Sequence, residues 1–192
     1  MFAGFLLAVA FASTPQQAAV NVFGSQAAEV RVVRANVVGN FSLVQTQGGK
    51  LEGAEVTGPM LLQRFSFGWQ PLGNDRCALT RVPKGDSAAL EQGFSFPMTL
   101  HVCPNQNYRD VGPANDVTAV RKRMRGPFVP YVRISGNYAL GEWYGAGGGE
   151  SLYRKEKSGW TLVKSDGGAM SESDIEKYGV DPHDAQILTH PL

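Results

Sequence analysis

The sequence predicts an α+β fold made of two related units, each a short helix followed by an antiparallel β-meander and short terminal helices. The main observation is a recurrence: Gly-Asn-Phe-Ser-Leu at 39–43 returns as Gly-Asn-Tyr-Ala-Leu at 136–140. A segment that begins with leucine then reaches a Gly-Trp pair after seven residues, once over 61–69 and once over 152–160. Recurrence in a fixed order is typical of a duplicated structural unit. The expected units cover 13–110 and 111–192.

Each predicted unit starts with a helix signal. Thr14 can cap a helix, and Pro15 suits its first turn because that position needs no backbone N–H. In the second unit, Asn115 or Asp116 can cap a helix that carries apolar residues at helical spacing. We expect that helix to end at Gly126, since a proline follows it.

Strand patterns follow each helix signal. Valine-rich and aromatic segments favour strands, and Gly-Asn pairs favour the turns between them. Over 61–69, Phe65, Phe67 and Trp69 alternate along one face, which predicts a single half-buried strand. The other expected strands cover 29–38, 41–45, 128–134, 138–144, 150–156 and 160–164, with glycine-rich loops over 48–58 and 145–149.

Short helices are expected towards the end of each unit. Gly93 and Gly179 stand where a left-handed residue often closes a helix. The segment 96–103 is ambiguous, because strict alternation favours a strand whereas Pro97 and the repeat favour a helix, which we prefer. The other expected helices cover 87–92, 173–178 and 182–188.

The composition is typical of a globular protein with an ordinary core. Hydrophobic residues make up 43% of the 192-residue chain, and the formal net charge is only +1. Nucleic-acid-binding domains are usually strongly basic. We therefore expect no nucleic-acid partner.

The N-terminal segment is typical of a secretory signal. Residues 2–12 are all apolar or small, and this run is shorter than the roughly 20 residues that span a bilayer. Ala10-Phe11-Ala12 fits the small-x-small cleavage rule, so we expect a signal over 1–12 and a new N-terminus at Ser13. The expected location is the periplasm, a thylakoid-lumen-like space or the cell exterior. Two alternatives are a buried first helix and, if the segment is not removed, a membrane tether.

The two cysteines fit export. Cys77 and Cys103 enclose 25 residues, and an oxidising compartment would let them form a disulfide. The alternative is two buried thiols that never meet. Neither cysteine has a partner at a zinc-ligand spacing.

Turn glycines and aromatic residues of the second unit form a pattern: Tyr138-Ala139-Leu140, Trp143, Gly148-Gly149, Leu152, Gly159-Trp160, Gly167-Gly168-Ala169 and Gly179-Val180. With this pattern, part of the chain resembles a family of uncharacterised exported proteins that is common in cyanobacteria. The resemblance covers roughly the C-terminal third and, more weakly, 41–69. It implies export and a β-meander, and it implies no activity and no catalytic residue. The helix-plus-meander plan is also similar to cystatin-like and nuclear-transport-factor-like folds, although a fold does not define a function.

The densest charge cluster is the candidate binding site. It contains Arg121, Lys122, Arg123 and Arg125, which on the predicted second-unit helix occupy the faces not taken by its apolar residues. Such a cluster can contact an acidic protein, an anionic lipid surface or a phosphate, and an acidic protein surface is the partner we expect. The alternative is a solvated helix face, whose cations near the C-terminus the helix dipole favours.

Two patterns suggest a ligand but have simpler explanations. The glycine-rich loop at 145–149 lacks the Lys-Ser/Thr of a phosphate-binding loop and precedes a strand, so we expect a hairpin loop. Four residues near the C-terminus have side chains suited to a metal, but the two aspartates also suit a helix start. We therefore expect no metal and no cofactor. These four are Asp181, His183, Asp184 and His190.

Catalytic candidates are few. His101 has no partner that the sequence can place beside it. Glu142 and Glu150 flank the glycine-rich loop and can approach each other across the hairpin, where two carboxylates can divide acid and base roles. Tyr144 and Tyr153 lie on the strand faces opposite to those of their apolar neighbours Trp143 and Leu152. They can line a groove for a peptide or glycan, or pack between the units.

The function that these patterns favour is a non-enzymatic binding or protein-interaction module in an exported protein. Its expected contact patch is the basic cluster at 121–125. The alternative is a small-ligand carrier or a hydrolase- or isomerase-like enzyme with a pocket between a helix and a curved sheet. A pocket that holds His101 or Glu142 would favour the alternative, whereas an exposed basic helix would favour the interaction module.

Overall fold

The computed structural model describes residues 12–51, 54–56, 58–74, 76–94, 109–145 and 147–190. Within these ranges the chain forms two four-stranded antiparallel sheets and five α-helices, so the predicted α+β class is confirmed. Residues 1–11 of the predicted signal segment and the whole ambiguous segment 96–103 lie outside them. Ala12 is buried, and its carbonyl accepts a hydrogen bond from the Trp69 N–H at 3.2 Å.

The first sheet is a meander with the strand order β1-β2-β5-β6. Helix α1 (Pro15–Asn21) precedes it and α2 (Lys84–Glu91) follows it, and Thr14 caps α1 as expected. The predicted loop at 48–58 contains the short hairpin of β3 and β4. The strands are β1 (Arg31–Val38), β2 (Phe41–Gln47), β3 (Lys50–Leu51), β4 (Ala54–Glu55), β5 (Met60–Phe65) and β6 (Gly68–Gly73), and two 3-10 helices cover Gly24–Glu29 and Arg76–Arg81.

The prediction of one continuous strand over 61–69 was wrong. β5 ends at Phe65 and β6 begins at Gly68, so the segment is a hairpin in which these two residues face each other. Gly68 has φ +127°, a conformation that side chains other than glycine rarely adopt. The rings of Phe65 and Phe67 stack at 5.4 Å across the turn. The two-residue turn preserved the spacing of the aromatic residues and therefore imitated an uninterrupted strand.

The second sheet is also a meander, with the order β7-β8-β9-β10. Helix α3 (Ala114–Arg121) precedes it, and α4 (Glu172–Glu176) and α5 (Pro182–Thr189) follow it. Its strands are β7 (Val132–Ser135), β8 (Tyr138–Tyr144), β9 (Gly148–Glu156) and β10 (Gly159–Asp166).

Three predicted boundaries in this half of the chain were wrong. Helix α3 ends at Arg121 and does not extend to Gly126. Helix α3 follows Pro113 and has no side-chain cap, so Asn115 and Asp116 lie inside its first turn. The strand predicted over 128–134 begins only at Val132. Proline lacks a backbone N–H and cannot donate to a ladder, and Pro130 interrupts this segment.

The two sheets share local geometry. Arg64 and Lys155 occupy matching positions in β5 and β9, each next to a two-residue turn. The Arg64 N–H donates to Asn40 O at 2.7 Å, and the Lys155 N–H donates to Asn137 O at 2.8 Å. The duplication of a unit, with the boundaries 13–110 and 111–192, stays a prediction.

Each sheet buries side chains on both faces, because helices cover both. On the α1 side of the first sheet the core includes Ala19, Val44, Met60, Leu62 and Trp69. On its α2 side lie Leu43, Leu61, Leu72, Ala78 and Leu90. The α3 side of the second sheet contains Val117, Val120, Ala139, Tyr153 and Trp160. Its other side contains Leu140, Leu152, Ile175, Ala185 and Leu188.

The two sheets contact each other through the segment that leads into β7. The Val129 N–H donates to Pro71 O at 3.1 Å, and Phe128 joins the core of the first sheet. Tyr144 packs against the Phe128 ring with the centroids 5.0 Å apart, and its hydroxyl accepts from the Asn74 N–H at 3.3 Å. Of the two roles considered for Tyr144, packing between the sheets is therefore the one observed.

Helices in the described ranges are all too short or too polar to cross a lipid bilayer.

Candidate functional site

Arg121 does not belong to an exposed basic patch, which corrects the sequence-based prediction for this residue. Its side chain is 0% exposed, and it lies one helical turn after the buried Val117. The Arg121 Nη2 donates to Asp110 Oδ1 at 2.7 Å. Residues four apart share a helix face, so Arg121 points with the apolar stripe into the contact between the two sheets.

Protein acceptors surround the buried guanidinium. Its Nη1 donates to Val129 O and to Gln70 Oε1, both at 2.9 Å, and its Nη2 also donates to Pro130 O at 3.3 Å. The guanidinium carbon lies 4.8 Å from the centre of the Phe65 ring. A charge removed from water needs such partners, and Arg121 is therefore a structural residue.

Asp110 serves two arginines at once. Its second carboxylate oxygen pairs with Arg81, and Arg81 Nε donates to Gln63 Oε1 at 2.6 Å. Burial alone would raise the pKa of Asp110, but Arg121 and Arg81 outweigh burial and lower it. Burial, with help from Arg81, lowers the pKa of Arg121 to about 10, so Arg121 stays charged at neutral pH.

The other three members of the cluster are exposed and surround a cavity. Lys122, Arg123 and Arg125 follow directly after α3. They border an opening of about 590 Å³, which we call the basic cavity. Its remaining walls come from the end of this segment and from β8, β9 and β10: Gly126, Trp143, Ser151, Tyr153, Leu162 and Ser165.

The cations of the basic cavity have no acidic partner in the part of the chain that the structure describes. Nearby Lys155, by contrast, pairs with Asp116 at 2.9 Å. Three like charges within four consecutive residues repel one another, and an anion bound between them would relieve that repulsion. The basic cavity therefore carries positive charge that no acidic group of the described residues neutralises.

Another part of the lining of the basic cavity is aromatic and apolar. Leu162, on the edge strand β10, is 52% exposed. Trp143 lies against Gly126 so closely that a Cβ on that glycine would approach the Trp143 Cβ to 2.8 Å. The buried Trp143 Nε1–H has no acceptor among the described residues. Burial raises the pKa of Tyr153, while its hydrogen bond to Ser151 and the charges of Arg125 and Arg123 act in the opposite direction.

Glu142 and Glu150 do approach each other, since they are direct partners on β8 and β9. Glu150 is buried, where its Oε1 accepts from the Tyr131 hydroxyl at 3.2 Å and its Oε2 accepts from the Met170 N–H at 2.6 Å. Burial raises the pKa of Glu150. These contacts hold the segment before α4 against the sheet. His101, the other catalytic candidate, lies outside the described residues.

The four C-terminal metal candidates do not form one site, because their contacts are with different partners. Asp181 caps α5 by accepting from the His183 N–H at 2.9 Å, as the alternative interpretation expected. Asp184 accepts from the Ser135 hydroxyl at 2.6 Å, and His190 contacts Glu172. Among the residues that the structure covers, no group of three or more potential ligands could hold a metal ion.

Two further predictions concern the loop and the cysteines. β8 and β9 form the expected hairpin, but β9 already begins at Gly148, so Gly148 and Gly149 of the predicted loop are strand residues. Cys77 is buried within a 3-10 helix. Cys103 lies outside the described residues, and the Cys77–Cys103 disulfide stays a prediction.

No family model, curated protein or solved structure matches the chain. The resemblance to exported cyanobacterial proteins therefore stays a prediction, as does export. The basic cluster could be found from the sequence because its members are adjacent. Trp143 and Leu162 could not be assigned to the same site, since only the folding of β8 and β10 brings them to it.

Proposed function

We propose that this protein is a non-enzymatic binding module that holds an acidic protein surface through Lys122, Arg123 and Arg125. The observation that carries the proposal is the meeting of these three cations at the basic cavity, without a carboxylate to neutralise them in the described residues. Arg81 and Arg121, by contrast, are both paired with Asp110 within the chain. The three exposed cations are therefore free to bind an acidic group from outside.

Arginine is well suited to this role. Its planar guanidinium can donate two parallel hydrogen bonds to one carboxylate, and it is more weakly hydrated than an ammonium group. Exposed positive charge also accelerates the approach of an acidic partner. The described residues that line the basic cavity include no carboxylate, imidazole or thiol, and this composition favours binding over acid–base or nucleophilic chemistry.

The second candidate function is a carrier of a small anionic ligand. A volume of about 590 Å³ lies within the range of roughly 300–1,000 Å³ that is typical of small-molecule sites. The site lies between the segment after α3 and the strands β8 to β10, which is close to the helix-and-sheet pocket of the sequence-based alternative. A carrier would bind a free carboxylate or phosphate without any protein partner.

The first experiment is a binding titration of a short fluorescent peptide rich in aspartate and glutamate. We expect the double variant Arg123→Glu/Arg125→Glu to bind at least about tenfold more weakly than the wild type, because attraction becomes repulsion. Binding to the wild type should also weaken as salt is added, since salt screens exposed charges.

The matched control is Arg31→Glu/Arg64→Glu, which makes the same change of charge on the first sheet, where both residues are exposed. Equal losses in both double variants would show that only the net charge matters, and the proposal would then fail. Tight binding of a free organic carboxylate that excludes the peptide would favour the carrier.

A further inference from the structure

We infer that the basic cavity binds a segment of the partner in which an acidic side chain stands next to an aromatic or large aliphatic one. This inference rests on the proposed function and adds the chemistry of the bound segment. It follows from the presence of two unlike surfaces at one site: the cations of Lys122, Arg123 and Arg125, and the apolar surface of Leu162 beside Trp143.

A purely electrostatic contact does not account for the apolar surface in the basic cavity. An acidic loop held only by the three cations would keep its hydration and would leave Leu162 in water. Leu162 is 52% exposed although it lines a cavity, so an apolar group seated there would remove its surface from water. The cavity therefore has surface for two side chains of opposite character.

The arrangement of the two surfaces limits the ligand further. The cations lie on the segment after α3, whereas Leu162 lies on the edge strand β10, and all of them line the same opening. A ligand that fits both surfaces presents a carboxylate to the first and an apolar group to the second. Two neighbouring side chains of a peptide do so readily, and an aromatic ring can in addition stack on a guanidinium.

The experiment compares four short labelled peptides of equal length. One carries Glu-Phe at its centre, one Glu-Ala, one Gln-Phe and one Gln-Ala, and each is titrated against the full chain in the same buffer. We expect Glu-Phe to bind about tenfold more tightly than Glu-Ala, as burial of one large apolar side chain predicts. Both glutamine peptides should bind more weakly than their glutamate counterparts.

Two matched variants test whether the preference for phenylalanine arises at the basic cavity. Leu162→Ser should remove most of the preference and leave the binding of Glu-Ala nearly unchanged. Val37→Ser is the control, since Val37 on β1 is 53% exposed and lies outside the basic cavity. Because both residues are already half in solvent, we expect both variants to fold.

The outcomes separate this inference from the proposed function. If Glu-Phe and Glu-Ala bind equally and Leu162→Ser changes nothing, the inference fails while the acidic-partner function stands. If neither glutamate peptide binds, both fail. If Gln-Phe binds as tightly as Glu-Phe, the contact is apolar only and both fail as well.

Discussion

At the scale of single residues, the contact between the two sheets depends on the partly buried carboxylate of Asp110, which two guanidiniums share. Asp110 pairs with Arg81 and Arg121, and it also accepts from the Val132 N–H at 2.9 Å. Each charge loses hydration on burial, and the loss is offset only where the remaining donors and acceptors are used. Arg121 meets that condition through the carbonyls of Val129 and Pro130.

The replacement Asp110→Asn tests this network. It leaves two buried guanidiniums without their shared counter-charge, so we expect the free energy of unfolding at neutral pH to fall by about 3 kcal/mol. The folded-state pKa of Asp110 is lower than its ordinary value of 3.8, and the wild type therefore loses this stability as the pH falls below that value. The difference in unfolding free energy between the variant and the wild type should therefore become smaller as the pH is lowered. Urea unfolding of both proteins at a series of pH values measures this difference.

Asp86→Asn is the control for that series. Asp86 lies in the first turn of α2 and forms no ion pair with another described residue. Its replacement should change the unfolding free energy little at any pH. If the unfolding free energy of Asp110→Asn differs from that of the wild type by the same amount at neutral and acidic pH, the stability does not arise from the charge on Asp110.

The burial of Arg121 shows what the sequence could and could not predict at this scale. Its spacing of four residues from Val117 placed it on the buried face of the helix, and that signal was available. The partners were not predictable, because Arg81 comes from the first half of the chain and only the folded structure brings it to Asp110. Adjacency in the sequence therefore grouped the buried Arg121 with three exposed residues that border the basic cavity.

At the scale of secondary-structure elements, the hairpin of β5 and β6 depends on one glycine. Gly68 has φ +127°, and it lies opposite Phe65 where the chain reverses. A side chain at this position strains the backbone whatever space surrounds it. The turn consequently defines the register that places Trp69 in the core of the first sheet.

We expect Gly68→Ala to destabilise the protein by about 1–3 kcal/mol, as measured by the midpoint of urea unfolding. Gly85→Ala is the matched control, since Gly85 lies in helix α2 and a Cβ there would meet nothing within 4 Å. That control should raise stability by about 0.5–1 kcal/mol, because alanine reduces the entropy of the unfolded chain. Two changes of the same sign and size would refute the conformational explanation.

Elements that carry their own local signals were predictable. Thr14 caps α1 and Asp181 caps α5, and each signal is complete within a few residues. The prediction failed where two signals conflicted. Aromatic alternation concealed the turn at Gly68, and the prolines around Phe128 delayed the start of β7, because a missing N–H matters more than strand propensity.

At the scale of the whole molecule, the two sheets share a core as well as a charge network. Phe128 belongs to the second half of the chain and packs with the α1-side core of the first sheet. Gln70 on β6 joins Arg121 at the end of α3 through side-chain and backbone hydrogen bonds. Neither sheet can lose this contact without exposing buried apolar and charged groups of the other, and the two should therefore unfold together.

Single-tryptophan variants test that cooperativity, because Trp69 reports on the core of the first sheet and Trp160 on that of the second. Each variant keeps one of these residues and carries phenylalanine at the other tryptophan positions. Within each variant, we expect the fluorescence transition in urea to coincide with loss of far-ultraviolet circular dichroism, as in two-state unfolding. The dichroism serves as the internal control, since it reports on both sheets in either variant. A fluorescence midpoint displaced from the dichroism midpoint, in opposite directions for the two variants, would mean that the sheets unfold independently despite the network around Arg121.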